Sequence, residues 1–486
     1  MSRPARPWLP ATLVALALLA TACTTEPEPV NPPPPPPGPP PPPPPAPVAQ
    51  VEVSAGSGRL YVGETLMLEV TLRDASGNEL SGRTISFTSD DEAVATISSA
   101  GLVSGVGRGR AGLRAESEGV SGTATLASGY RLVDVATGEG FTCVRDEGLA
   151  AFCWGRNDLG QLGTGSTEAS VLEPARVGEL DFESLSAYGT GRVACGVSDG
   201  EGYCWGTGYF GQQPDGTHSD NRGQHQTIAR TPLQITAPAA IGQVAIGEHH
   251  GCGMTGAGQA FCWGGNGKGE LATAGGGAHP SMAVGTPVPV TSVSVGWLLS
   301  CGLVADGRAY CWGSNGYGQM GTGAVGPDYG FAVMEAAGGM RFTELGVGDL
   351  HTCGLTSDQR LYCWGFGLLG QLGIGTTDDE SAPMQVPGSW TSLAVGPYRT
   401  CAVAADGGGW CWGDGLAGDG EATRLHTTPT RVGDGLEFAR MAAGLTQSCG
   451  VTTAGELYCW GDNADGELGD GTRQERRNPV RLEWPR

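Results

Sequence analysis

Cysteine offers the most chemistry in this sequence. Fourteen of the fifteen cysteines fall into seven local pairs: Cys143 with Cys153, Cys195 with Cys204, Cys252 with Cys262, Cys301 with Cys311, Cys353 with Cys363, Cys401 with Cys411, and Cys449 with Cys459. Nine residues separate the partners in six pairs, and eight separate Cys195 from Cys204. Structural zinc wants cysteines about two to four residues apart and two such pairs per ion. Seven isolated pairs in a chain with seven histidines do not supply that. Disulfides fit better, because directly opposed residues of an antiparallel hairpin share a face and lie close enough to bridge. Pairing Cys301 with Cys311 leaves Ala305-Asp306-Gly307 as a three-residue loop, whose last residue takes the left-handed conformation that glycine favours. Gly258, Gly407 and Gly455 hold the same place, whereas Leu149 and Gln359 depart from it in the first and fifth repeats. Pairing Cys195 with Cys204 instead leaves Asp199-Gly200, a two-residue hairpin turn. The shorter spacing goes with the tighter turn, so seven local disulfides are expected.

Other reactive side chains do not assemble. His249-His250 precede Cys252 and His351 stands two before Cys353. No Ser-His-Asp order, P-loop or paired-carboxylate motif accompanies them. The run Asp215–Asn221, in an insertion spanning 207–247, is the most polar loop but lacks the alternating acids and terminal Glu of an EF-hand. Calcium there stays open, with a solvated loop as the default. No catalytic residue, metal or cofactor is expected.

The elements that carry the cysteines repeat. Each second cysteine is followed by Trp-Gly, and Trp154, Trp205, Trp263, Trp312, Trp364, Trp412 and Trp460 recur every 48 to 58 residues. Such a period marks a repeat array. Before each hairpin runs a strand ending in Gly, as in Leu132–Gly138, Phe342–Gly348 and Trp390–Gly396. After Trp-Gly comes a turn, Gly160-Gln161-Leu162-Gly163 in the first repeat and Gly370-Gln371-Leu372-Gly373 in the fifth, with Met320 and Glu467 as variants in the fourth and seventh. Six repeats then offer Pro-x-x-aliphatic, as at Pro174–Val177 and Pro429–Val432. Residues 130–486 thereby resemble the regulator of chromosome condensation repeat family, which implies a seven-bladed β-propeller. A terminal strand pairing first with last, Pro479–Leu482 against Tyr130–Ala136, would close the ring.

Ahead of the repeats, residues 51–128 read as short strands of period two, with Leu66, Leu68, Val70 and Leu72 on one side. Val62–Thr65, Phe87–Asp90, Val94–Ile97 and Gly101–Val106 resemble the bacterial immunoglobulin-like group 2 family, which implies a small β-sandwich serving as spacer or adhesive module. Residues 1–22 have the charged start, short apolar run and small-residue end of a signal peptide. Cys23 then resembles the lipidated cysteine of a bacterial lipobox. Residues 23–50 hold Pro32–Pro37 and Pro39–Pro45, a polyproline II linker.

The full chain has 486 residues with 84 Gly, 33 Pro and only 16% charged residues, which excludes a coiled coil or helical solenoid. Its net charge of −22, with Lys268 the sole lysine, argues against nucleic acid as a partner. The fold class expected is all-β: linker, sandwich, propeller. The residue before the first Gly of the post-tryptophan turn varies from repeat to repeat: Leu159, Phe210, Lys268, Tyr317, Leu369, Ala417 and Asp465. With Tyr209 and Phe366 nearby, this reads as a recognition rim of Tyr209, Phe210, Lys268, Tyr317, Phe366 and Leu369. The function expected is an exported monomeric lipoprotein, at the bacterial outer membrane or cell surface, that binds a protein or glycan without catalysis. Nucleotide exchange, the activity of the family's eponymous member, does not transfer to an exported chain. Two alternatives remain: a wall- or polysaccharide-acting hydrolase or lyase, which needs carboxylates clustered at one propeller mouth, and an inhibitor of a secreted enzyme such as a β-lactamase.

Overall fold

A computed structural model describes residues 44–208, 228–274, 278–326, 330–336 and 339–484. Cys23, Tyr209, Phe210 and the Asp215–Asn221 run lie outside these. All regular elements among the described residues are strands.

Residues 48–129 form a sandwich of short sheets around Leu60, Leu68, Val94, Val103, Leu113 and Leu126. Leu68 and Leu72 are buried as the alternation requires, although the strand breaks at Leu68 into Thr65–Met67 and Glu69–Arg73. Val48 is already in the core, so the sandwich begins inside the stretch assigned to the linker.

Seven four-stranded antiparallel sheets follow, each built from one contiguous repeat. Their first strands are Leu132–Gly138, Ser184–Ala187, Ile241–Ile246, Val290–Val295, Phe342–Val347, Trp390–Val395 and Phe438–Ala443. These neighbour one another in order, the seventh beside the first, and so form the inner wall of a closed seven-bladed propeller. Ring closure differs from the expectation. Leu132–Gly138 pairs with Phe141–Asp146 and Arg476–Arg481 with Leu457–Gly461, so no strand is shared between the ends of the array.

The second and third strands of each blade hold the cysteines in direct register, with Cα atoms 4.0 to 4.1 Å apart. All seven expected disulfides are formed. Cys143 bonds to Cys153, Cys195 to Cys204, Cys252 to Cys262 and Cys301 to Cys311. Cys353 bonds to Cys363, Cys401 to Cys411 and Cys449 to Cys459. Each pair stands directly opposite in the ladder, Cys195 with Cys204 included, so the shorter loop keeps the register. In the fourth blade Val304 and Arg308 flank the expected three-residue loop, and Gly307 has φ +83°. Leu149 and Gln359, at the equivalent place, are forced to φ +65° and +64°.

Blades are joined through the tryptophans, all at most 2% exposed. The Trp364 indole N–H donates to the Gln319 carbonyl of the preceding blade at 2.9 Å, and Trp312 to Glu270 and Trp412 to Gln371 do likewise at 2.8 and 3.0 Å. Thr352 and Thr400 donate to the same Gln319 and Gln371 carbonyls. The seam is sealed in the same way, with Trp154 and Thr142 of the first blade both donating to the Glu467 carbonyl of the seventh. The indoles also lie on the last Gly of the neighbouring turn, at Gly163, Gly321, Gly373, Gly418 and Gly469. At Gly373 an added Cβ would stand 2.4 Å from Trp412 Nε1, on backbone at φ +69°. The third repeat places Ala272 there, at φ +52°.

In every blade the hairpin turn lies at one end and the loop after the inner strand at the other. The sandwich packs on the hairpin-turn face at the seam. Arg108 Nε and Nη2 donate to both oxygens of the fully buried Asp146 carboxylate at 2.8 and 2.6 Å, a bidentate pair. Arg131 pairs with Glu64, and Arg59 with Glu483. The opposite face is therefore left clear of the sandwich.

Gly373→Ala should lower stability by about 1–3 kcal/mol, since it adds both a collision and left-handed strain. Gln359→Gly, which relieves such strain at an exposed turn, should raise stability by about 0.5–1 kcal/mol. Urea midpoints of the two variants check this; a Gly373→Ala chain as stable as its parent would show that the indole does not need the glycine.

Candidate functional site

On the face away from the sandwich, the loops that follow the inner strands converge on the central channel. They enclose a cup of about 380 Å³ lined by one residue from each blade: Glu139, Thr190, Glu248, Trp297, Asp349, Tyr398 and Leu445. The second-blade loop is longer than the others and crosses the channel. There Ser186 opposes Cys195, nine residues on, whereas in the third blade Ala245 opposes Cys252, seven on. Gly189 lies so near Pro397 and the Leu445 amide that a Cβ there would meet them at 2.5 and 2.8 Å. Tyr188, just before it, reaches the fifth blade and donates its hydroxyl to Asp349 Oδ1 at 2.7 Å.

Asp349, 2% exposed, is thus held by the hydroxyls of Tyr188 and Tyr398. Burial pushes its carboxyl above the usual carboxylate range, partly offset by those two bonds. Burial raises Glu248 as well, and the Asp349 and Glu139 charges add to that. Glu139 is held by Arg192 at 2.5 and 2.9 Å and by Arg156 at 2.9 Å. Trp297 donates its indole N–H to His249 Nε2 at 3.1 Å. Burial lowers His249 to about 4, so the ring is neutral and can accept that bond at physiological pH. The three carboxylates are the mouth cluster that a hydrolase reading requires, but Arg156 and Arg192 hold Glu139, two tyrosines hold Asp349, and Thr190 bonds Glu248.

The other histidines of the expected set are structural. His250 Nε2 meets Ser300 Oγ at 2.6 Å and His351 Nε2 meets Thr400 Oγ1 at 3.0 Å, each across a blade boundary. Burial lowers both rings to about 3. Arg399 and Gln447 fill the same slot in the sixth and seventh repeats and also bond to the next blade, at Ser448 and at the Gly138 and Phe141 carbonyls.

The described members of the expected rim, Lys268, Tyr317, Phe366 and Leu369, lie on turns at the same end of their blades as the cup loops. Tyr317 and Phe366, from the fourth and fifth blades, stack edge to face with centroids 5.0 Å apart. Tyr317 is 39% exposed, Leu369 and Lys268 are part-buried, and Leu368, not singled out in the sequence, is 60% exposed. The amides of Leu159, Lys268, Tyr317, Leu369 and Asp465 all donate to the Gln or Glu side chain two residues on. That bond fixes the backbone of the slot whatever side chain it bears, which is why the slot can vary. Ala417 does not belong to it. The sixth turn is three residues shorter, and Gly418 lies on Trp460 as Gly373 lies on Trp412, so Ala417 is a core residue, 2% exposed. Trp460 Nε1 lacks the carbonyl partner of its counterparts there. Trp205 Nε1 lacks one as well, although its turn keeps the usual length, and nothing in the structure explains that difference.

The cup itself was not expected from the sequence, although its signal is of the same kind. The residue after the Gly that ends the inner strand is Glu139, Glu248, Trp297, Asp349, Pro397 and Leu445 in six repeats, as variable a slot as the rim.

Models of the Regulator of chromosome condensation (RCC1) repeat match residues 150–198, 290–319, 342–371, 358–403, 438–467 and 454–486, and the Bacterial Ig-like domain (group 2) matches 47–127. Over 261 residues the chain is 27% identical to the ultraviolet-B receptor UVR8 of Arabidopsis thaliana, covering 53% of this chain and 46% of that one. Over 267 residues it is 26% identical to the human probable E3 ubiquitin-protein ligase HERC4, covering 54% and 20%. The chain thus spans less than half the length of these relatives. Among solved structures it is similar to human WBSCR16 (TM-score 0.62, 21% identity, 69% and 95% covered) and to yeast RCC1 (Prp20) bound to Kap60 (0.58, 18%, 73% and 84%). These likenesses establish the propeller fold.

Below the cup, side chains of the inner strands tie neighbouring blades. Gln243 Oε1 accepts from the Val293 amide at 3.0 Å, and Glu344 accepts from the Leu393 amide in the same way. Burial pushes the Glu344 carboxyl up to about 7, against the Arg440 charge that lowers it. A carboxyl raised on folding contributes stability that is present below about pH 4.5 and lost as pH rises through about 7. Glu344→Gln keeps the acceptor and removes the charge. It should therefore gain up to about 2–3 kcal/mol over the parent at pH 8 and nothing at pH 4.5, measured as the pH dependence of the difference in urea midpoint.

Proposed function

From a chain that carries RCC1 repeats behind a group 2 bacterial Ig-like domain, we propose an exported, lipid-anchored protein whose propeller binds a macromolecule without catalysis. The observation that carries this reading is the placement of the sandwich on the hairpin-turn face. The cup and the rim turns open on the opposite face, which the sandwich leaves clear. Seven buried disulfides and the Ig-like domain support an oxidising compartment outside the cytoplasm, and the Cys23 motif supports anchoring at the bacterial outer membrane or cell surface. The relatives fit a binding role: yeast RCC1 is seen bound to Kap60, and its binding to Gsp1p and histones has been described. The partner here is a protein or glycan of the envelope or its surroundings, bound by a monomer.

Cleavage of polysaccharide is the second reading, favoured by Glu139, Glu248 and Asp349 sharing one mouth. It is weakened because two arginines hold Glu139 and two tyrosines hold Asp349. Capture from envelope and medium with the full chain as bait separates the readings. Tyr317→Ala with Phe366→Ala should weaken capture by at least about tenfold, the worth of an interface anchor. Equal capture by parent and variant would remove the rim from the interface. Release of sugar from wall polysaccharide, abolished by Glu248→Gln, would replace binding with catalysis. A tight one-to-one complex with a secreted enzyme would identify an inhibitor.

A further inference from the structure

The lining of the cup is selective in its chemistry. Two of its walls are the aromatic rings of Trp297 and Tyr398, and each is pinned by its own polar atom. The Trp297 N–H is committed to His249, and the Tyr398 hydroxyl to Asp349. Neither ring can turn away without breaking a hydrogen bond, so the walls are set before anything binds. Between them lies Asp349, a nearly buried carboxylate balanced only by two neutral hydroxyls. At the mouth Arg156 and Arg192 pair with Glu139, Arg156 also pairs with Asp158, and the Arg192 charge reaches Glu248, whereas Asp349 is held by tyrosines alone. The local charge is negative, and burial raises the cost of carrying it. Thr190 and Leu445 complete a lining with room for an apolar stem.

An anion would meet the carboxylates and a neutral sugar would leave their charge unbalanced. A metal ion would need its own ligand set, and the described residues hold no cluster of metal-ligating side chains suited to one. An organic cation fits this lining: its charge sits beside Asp349 and Glu248, and the Trp297 and Tyr398 rings offer apolar contact to its stem and cation–π attraction to its charge.

Resting on the binding function above, we propose that the cup is a receptor for an alkylammonium or guanidinium group on an apolar stem. Its ligand is the end of a lysine or arginine side chain presented by the partner, or a free amine of the same chemistry.

The test uses the full chain and three probes: cadaverine, pentan-1-ol as its uncharged analogue, and a blocked peptide with alternating Gly and Lys. Calorimetric titration should show cadaverine and the peptide binding and pentanol not. Asp349→Asn, which keeps one oxygen acceptor for a tyrosine hydroxyl and can donate its amide N–H to the other, should weaken cadaverine at least roughly tenfold. Trp297→Ala should weaken it roughly three- to thirtyfold, and Gln359→Gly, at an exposed hairpin turn on the opposite face, should leave it unchanged. Near-ultraviolet circular dichroism checks that each variant is folded. Binding of pentanol as strong as cadaverine, cadaverine binding untouched by both cup variants, or displacement of cadaverine by calcium alone would overturn the proposal. Peptide tighter than cadaverine marks a protein as the source, and the reverse marks a free amine. A captured partner that saturating cadaverine does not displace would sink the cup while sparing the binding function. Cadaverine binding without any captured partner would do the opposite.

Discussion

At five joints between blades of this propeller a buried indole lies on a glycine of the blade before it, and Ala272 holds that place before Trp312. At Trp154, Trp364 and Trp412 the indole also donates its N–H to a carbonyl two residues upstream of that glycine. The rest of the molecule depends on this contact. It buries the largest apolar side chain of each repeat, satisfies its polar atom at those joints, and sets the step from blade to blade. Because Trp154 makes the same contact with the turn at Glu467, the ring closes by repeating its internal joint once more. No strand needs to cross the seam. The sandwich adds a clamp there, with Arg108 gripping the first blade and Arg59 and Glu64 engaging Glu483 and Arg131.

The disulfides act within blades and the tryptophans between them. Together they hold the hairpins and turns so firmly that the loops at the channel mouth are relieved of structural duty. The amides of the variable rim slot, as at Tyr317 and Leu369, are fixed by a Gln or Glu side chain, and five of the seven cup residues sit just past a glycine at the end of an inner strand. Side chains in both slots can change from aromatic to acidic to apolar without disturbing the fold. Slots of this kind brought to one axis make a surface whose chemistry is set residue by residue, while the frame stays constant.

The slots also show where the repeat symmetry is broken. The longer second-blade loop crosses the channel and carries Tyr188 to Asp349. This brings Thr190 into the lining of the cup and fixes one of its carboxylates. The shorter sixth turn replaces a rim position with core. Small differences in loop length thus decide which blades contribute to the face.

Much was legible from the residues alone, and for one physical reason: it is local. Cysteines with a tight turn midway between them fall opposite each other across a hairpin, and the Trp-Gly period repeats because every blade is joined through the same residue. The pairings from Cys143 with Cys153 to Cys449 with Cys459, the seven blades and the rim turn at Tyr317 and Leu369 all follow from contacts made within one repeat or between adjacent ones. Only the tertiary structure decided the rest. Glu139, Glu248, Trp297, Asp349 and Tyr398 stand far apart in the chain, and no spacing relates them. They meet because seven inner strands end around one axis. Their charge, burial and partners come from residues on opposite sides of the channel, as Tyr188 and Asp349 do, 161 residues apart. The alignment of the sixth repeat, the closure of the ring and the face taken by the sandwich were settled the same way, by which surfaces could be buried against each other once the chain had turned full circle.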